Sequence, residues 1–169
     1  MKKFKVLMCL LICVTCTLGM SPVVRASSYS TGKAVIPLFI QDGTHSGMFT
    51  VSNITDNPIS VTVTLYNSDG SILVDDNSAN TGRITGTNEL INFTDQNTDS
   101  TLTFTLSAHS TGIFYTYHNT PTTKYGYGII KWQQDGNALQ GLVAQGSYVY
   151  TSSGEISHFS IPINGGLPF

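Results

Sequence analysis

Beyond residue 26 the chain has no cysteine: Cys9, Cys13 and Cys16 all lie in the N-terminal segment. Residues 27–169 therefore hold no disulfide and no thiolate metal site, and their stability has to come from a packed core. Charge is scarce too, with 11% of the chain Asp, Glu, Lys or Arg. Four of the eight basic residues, Lys2, Lys3, Lys5 and Arg25, precede residue 27, which leaves Lys33, Arg83, Lys124 and Lys131 against ten acidic residues, 4 − 10 = −6. These four cations are scattered along the sequence. The absence of a basic stripe argues against nucleic acid, an anionic membrane or an anionic wall polymer as partner. No stretch of ten or more residues after residue 26 shows a helical period, and there is neither an internal repeat nor a low-complexity linker.

The N-terminal segment is built differently. Lys2, Lys3 and Lys5 precede an apolar run from Val6 to Leu18, and Gly19, Ser21 and Pro22 lead into Val24-Arg25-Ala26. A positive end, an apolar stretch and small residues at the cut predict a cleavable signal peptide over residues 1–26 and a secreted, extracellular product. The 13-residue apolar run is shorter than the ~20 residues that span a bilayer. Met8, Ile12 and Thr15 precede the cysteines, where lipidation needs a small residue. No stable membrane anchoring is expected after cleavage. Residues 27–169 have the size of a single domain, able to bury roughly two-thirds of its surface without covalent staples.

What the chain has in abundance is period-two alternation. Ile59, Val61, Val63 and Leu65 alternate with Ser60, Thr62, Thr64 and Tyr66, the signature of a strand with one buried and one wet face. Similar segments occur at 35–40, with Pro37 marking a sheet edge or bulge, and at 48–54, 72–74, 90–93, 102–106, 113–118, 126–133, 139–150 and 155–163. Asp56-Asn57-Pro58, Ser68-Asp69-Gly70-Ser71, Asp135-Gly136 and Thr151 to Gly154 read as turns. From Asp75 to Glu89 the pattern lapses into a polar loop broken by Ile84. The fold class that follows is all-β: an antiparallel β-sandwich, immunoglobulin-like or jelly-roll-like, of about nine strands.

Two stretches resemble known proteins. FTVSNITDNPISVTVTLYNSDG, Phe49 to Gly70, resembles the strand-turn-strand-turn unit of bacterial immunoglobulin-like sandwiches. YGYGIIKW, Tyr125 to Trp132, with LVAQG, Leu142 to Gly146, and the ending IPINGGLPF, Ile161 to Phe169, resembles small secreted proteins of Gram-positive bacteria that have no assigned activity. The likeness covers about half of residues 27–169. It implies a β-sandwich and an extracellular compartment, and it carries no catalytic residue.

Catalytic motifs are missing. Ser30-Thr31-Gly32-Lys33 has a Ser-x-x-Lys spacing without its Lys-Thr-Gly companion, and His45-Ser46 lies between Gly43 and Gly47 without forming Gly-x-Ser-x-Gly. His45, His109, His118 and His158 are isolated, with no ligand spacing for zinc or copper. Asp95, Asn97 and Asp99 stand at alternate positions like the opening of a calcium loop, but Ser100 and Leu106 occupy the glycine and glutamate places. Calcium is the one cofactor these residues suggest. Threonines at 62, 64, 101, 103 and 105 read as a wet sheet face. Asn53-Ile54-Thr55 and Asn92-Phe93-Thr94 are sequons.

Aromatic residues crowd the second half. Tyr115, Tyr117, Tyr127, Trp132, Tyr148 and Tyr150 are the candidate ligand-binding residues, with Tyr148 and Tyr150 on one face of their strand; core packing is the alternative, above all for Trp132. The function expected is a secreted, non-catalytic module that binds an extracellular protein or polysaccharide, or assembles with itself at a surface or in a matrix. A small secreted metal-dependent hydrolase and a secreted antimicrobial or toxin factor are the alternatives.

Overall fold

The computed structural model describes residues 28–73, 84–86, 90–95, 101–117, 122–152 and 155–169; the expected signal peptide, residues 1–26, lies outside them. Among the described residues there are ten strands: β1 (Tyr29–Gln41), β2 (His45–Asn53), β3 (Ile59–Asn67), β4 (Ile84–Gly86), β5 (Ile91–Asp95), β6 (Leu102–Leu106), β7 (Thr111–Thr116), β8 (Lys124–Asp135), β9 (Leu142–Ser152) and β10 (Glu155–Pro162). They form two five-stranded sheets, β1-β8-β3-β6-β5 and β10-β9-β2-β7-β4, with every pairing antiparallel. The protein is an all-β antiparallel sandwich.

The connectivity follows from one long ribbon. β1 pairs with β8, β2 with β7 and β3 with β6, so the early strands run against the later ones in nested order. Folding that ribbon over itself brings β3 beside β8 and β4 beside β7, the strand order of a jelly roll. β9 and β10 form a hairpin that extends the second sheet past β2.

Alternation in sequence becomes a division between core and solvent. On β3, Ile59, Val61, Val63 and Leu65 are buried while the intervening Ser60 is exposed and Thr62, Thr64 and Tyr66 are half-exposed. They meet Phe49 and Val51 of β2, Leu102, Phe104 and Leu106 of β6, and Phe114 of β7. Phe49 and Phe114 stack at 4.9 Å, and Phe104 lies 6.3 Å from Phe114. Burial of these rings and branched side chains, each worth about 1.5–3 kcal/mol, stands in for crosslinks. The final residues close one end: Phe169 is buried and exchanges backbone hydrogen bonds with Leu142 at 2.9 and 3.0 Å.

Local expectations and structure differ in three places. Ile84–Gly86, within the stretch read as a polar loop, forms β4 because β7 supplies its hydrogen bonds. Asp135-Gly136 does not make a hairpin: β8 and β9 belong to different sheets, so this segment crosses the sandwich. Ser68-Asp69-Gly70-Ser71 is a tight turn, with Gly70 at φ 84° and its N–H donating to the Asn67 carbonyl at 2.9 Å, but among the described residues that follow it there is a single bridge, Tyr66 to Ile72. Pro37 marks both features expected of it, since β1 is an edge strand with a bulge between Ile36 and Phe39.

Trp132 sits at the inner face of β8, 2% exposed. Its indole lies against Gly32 of β1 and Gly141 before β9, where a methyl group would overlap the ring. Neither glycine has a positive φ, so the requirement is steric. Gly32→Ala and Gly141→Ala should each destabilise the fold by about 1–3 kcal/mol through overpacking, read as a lower urea midpoint with an unchanged m-value.

Candidate functional site: an aromatic cleft beside β10

The turn from β1 to β2 is built on Asp42. Its Oδ1 accepts hydrogen bonds from the Thr44 backbone N–H at 2.7 Å, the His45 backbone N–H at 2.8 Å and the Thr44 hydroxyl at 2.9 Å. Oδ2 accepts from the Thr123 hydroxyl at 3.0 Å, and His45 Nδ1 lies 2.9 Å from both oxygens. Burial alone pushes the Asp42 carboxyl up, but the donors of Thr44 and His45 together outweigh it and hold the group well below the usual carboxylate range.

This network fixes His45 as the first residue of β2, directly opposite Tyr150 of β9, with ring centroids 4.8 Å apart. On β9, Leu142, Ala144 and Gly146 face the core, and the same side of the strand then continues to Tyr148 and Tyr150 at its outer end. Phe159 of β10 is the register partner of Tyr148. From β1 come Leu38 and Ile40, and the bulge between Ile36 and Phe39 leaves Leu38 41% exposed. These six residues line an open, mostly apolar cleft of about 440 Å³. The Tyr148 hydroxyl is buried with no hydrogen-bond partner among the described residues, and burial pushes its phenol up. Among the described residues His45 Nε2 likewise has no partner. β10 closes the sheet as an edge strand with all six residues from Glu155 to Ser160 exposed.

The six aromatic residues singled out from the sequence do not form one patch. Tyr148 and Tyr150 share the cleft, as their spacing required. Tyr127 lies on the outer face of the first sheet, 41% exposed and stacked on Tyr66 at 4.9 Å and 11°. Tyr115 is half-buried on β7 in the second sheet, and Tyr117 is exposed just past the end of that strand. Trp132 is a core residue, so it presents no surface for recognition: β8 turns its even-numbered positions inward and Tyr127 outward. Leu38, Ile40 and Phe159 complete the cleft without having been marked, together with His45, which the sequence showed as an isolated histidine, and Pro37 was the single local sign of the bulge that exposes Leu38.

Elsewhere, His109 Nε2 lies 2.9 Å from Asp56, both exposed, at the opposite end of β2 from Asp42 and His45. His158 is exposed on β10, and His118 lies outside the described residues. Of the calcium candidates, Asp95 ends β5, and Asn97 and Asp99 lie outside the described residues. Among the described residues no three His, Asp or Glu side chains converge. Asn53 of the first sequon is 2% exposed, and its amide donates to the Asn57 and Ser107 carbonyls at 2.8 and 2.9 Å. In the folded state it cannot accept a glycan. Asn92 is exposed on β5 at φ 53°.

No family model matches the chain, and no curated protein matches it. Among solved structures, a crystal structure of Thermotoga maritima 1070 is similar with a TM-score of 0.45 at 12% identity, over 78% of this chain and 90% of that one.

Asp42 links the site to stability. A carboxyl held below its unfolded value near pH ~4 contributes stability that is complete above that pH and is lost as pH falls through the folded pKa. Asp42→Asn should therefore cost about 2 kcal/mol at neutral pH through weakened charge-assisted hydrogen bonds. The gap between wild type and variant should close as pH falls below ~4, followed by urea unfolding at a series of pH values.

Proposed function

We propose that residues 27–169 are a secreted, non-catalytic extracellular module that binds or assembles through the β9–β10 hairpin and the aromatic cleft beneath it. The observation that carries this reading is the edge strand β10. Every residue from Glu155 to Ser160 is exposed, and Ile156 and Phe159 are 62% and 58% exposed. Unpaired strand edges are usually guarded by lysine, proline or a covering segment; here the exposed stretch from Glu155 to Ser160 carries no lysine and no proline, and Glu155 is its one acidic residue. A row of backbone donors and acceptors unpaired among the described residues, next to a cleft of rings, suits addition of an extended strand, from another extracellular protein or from a second copy. The signal-peptide pattern of residues 1–26 supports delivery outside the cell.

A second reading, a small secreted hydrolase, is favoured by one observation: His45 lines the cleft with Asp42 at its Nδ1. An aspartate in that place orients an imidazole for proton transfer. Turnover of an ester, peptide or glycoside panel that disappears in His45→Ala would support it, and a panel with no His45-dependent turnover removes it.

The binding reading predicts concentration-dependent self-association or retention on extracellular matrix for the wild type. Combining Ile156→Lys with Phe159→Ser should weaken either by about tenfold or more, since buried aromatic anchors dominate such contacts. The melting temperature should stay near that of the wild type, because both side chains are exposed. Sedimentation that finds a monomer at all concentrations, with neither protein retained on matrix, would remove the hairpin as the binding element.

A further inference from the structure

The outer face of the first sheet, away from the cleft, brings together what the sequence keeps apart. Lys33 of β1 and Lys131 of β8 are two of the four basic residues beyond residue 26, and they are direct partners in the antiparallel register. Side chains opposed in this way have Cβ atoms about 5 Å apart, and like charges so placed destabilise the pair. Among the described residues no acidic side chain forms a salt bridge with either lysine; the carboxylate contacts found are His45 with Asp42 and His109 with Asp56. Asp135, the acidic residue on the same face of β8, stands four positions from Lys131, about 13 Å along the strand.

The two lysines line a concavity of about 500 Å³ together with Gly32, Trp132 and four neutral hydrogen-bonding residues, Thr31, Ser60, Thr62 and Gln133. Register continues this polar row across the sheet, since Lys131 faces Thr62 and Thr62 faces Thr103. Toward the other end of β8, Tyr127 points out on the same face and stacks on Tyr66. A spacing of four residues sets the Tyr66–Tyr127 stack about 13 Å from the lysine pair.

We infer that this face binds a sparsely charged acidic polysaccharide, a partner class that the scattered cations of the sequence argued against and that the facing of Lys33 and Lys131 restores. Lys33 and Lys131 pair with a carboxylate or sulfate on the polymer, the hydroxyls and the Gln133 amide meet sugar hydroxyls, and the Tyr66–Tyr127 stack supports a sugar ring. A ligand anion between the two ammonium groups relieves a repulsion that the fold leaves uncompensated. Two cations in a domain of net charge −6 match a polymer whose charges are widely spaced; a nucleic acid, with a charge every few ångströms, requires several cationic contacts and would be repelled by the rest of the surface. The reach from lysines to tyrosines matches a chain of sugars better than a free anion.

Affinity electrophoresis of the protein through gels containing hyaluronate (one carboxylate per disaccharide), gellan (one per tetrasaccharide), neutral dextran or oligothymidylate tests the site. Retardation is expected with at least one of the two acidic polysaccharides, diminishing with added salt, and not with dextran. The double variant Lys33→Gln with Lys131→Gln should lose about tenfold or more in apparent affinity, while its melting temperature stays equal to or above that of the wild type. Tyr127→Ala should weaken binding and keep the salt dependence. The inference is overturned if neither acidic polymer retards the protein, if dextran holds it equally, if the double variant binds like the wild type, or if oligothymidylate binds more strongly. Loss of the β10 side chains should leave this retardation unchanged, so the two surfaces are tested separately.

Discussion

Everything in this structure depends on pressing two apolar sheet faces together without a covalent link. The nested pairing of β1 with β8, β2 with β7 and β3 with β6 is how the chain achieves it, because each pairing places one strand's inward residues over the opposite sheet. Trp132 shows how tightly the interior is filled: the indole fits because glycine backbone stands beside it in the same sheet at residue 32 and before β9 at residue 141. The cleft is the outcome of the same packing carried past its limit. Tyr148 and Tyr150 continue the inward side of β9 beyond Gly146, to the outer end where the bulged edge of β1 provides only Leu38 and Ile40 as a facing wall.

Polar side chains anchor both ends of β2, one of the inner strands of the second sheet. At its start, Asp42 gathers donors from Thr44, His45 and Thr123. At its end, Asn53 donates to the Asn57 and Ser107 carbonyls and accepts from the Thr55 backbone N–H at 2.9 Å. Thr55 in turn donates to Gln134 at 2.7 Å, tying this end to β8 in the other sheet. A buried carboxylate or amide with its bonding capacity filled is stable where an unfilled one is costly, so these two residues set strand ends in a domain that has few charges to do so. The same burial that lets Asn53 do this removes it as a glycan acceptor.

Most of the fold was legible residue by residue. The alternation of Ile59 to Tyr66 predicted its two faces, Pro37 predicted a sheet edge or a bulge, and Gly70 predicted a tight turn. What was not legible required a partner strand. Ile84–Gly86 is too short and too polar to announce itself, and becomes β4 through bonds to β7. Asp135-Gly136 has the composition of a hairpin, yet it crosses between sheets because β8 is held between β1 and β3 and β9 is held by β2. Of the candidate site, the shared face of Tyr148 and Tyr150 could be read from their spacing, whereas Phe159 and Leu38 looked like ordinary strand residues.

The sequence by itself determined the class of structure and the direction each strand residue takes, since backbone pleating alone makes neighbours point to opposite sides. It determined that no disulfide could be involved beyond residue 26 and that the domain would be acidic. Only the tertiary structure decided which of those faces would be covered and which side chains would stand opposite one another. Lys33 and Lys131 are scattered cations in the sequence and a facing pair in the fold, and the six aromatic residues that crowd its second half are dispersed by it. The reason is physical: side-chain direction is a property of one strand, while register and cover are properties of two strands or two sheets, set by pairings between segments far apart in the chain.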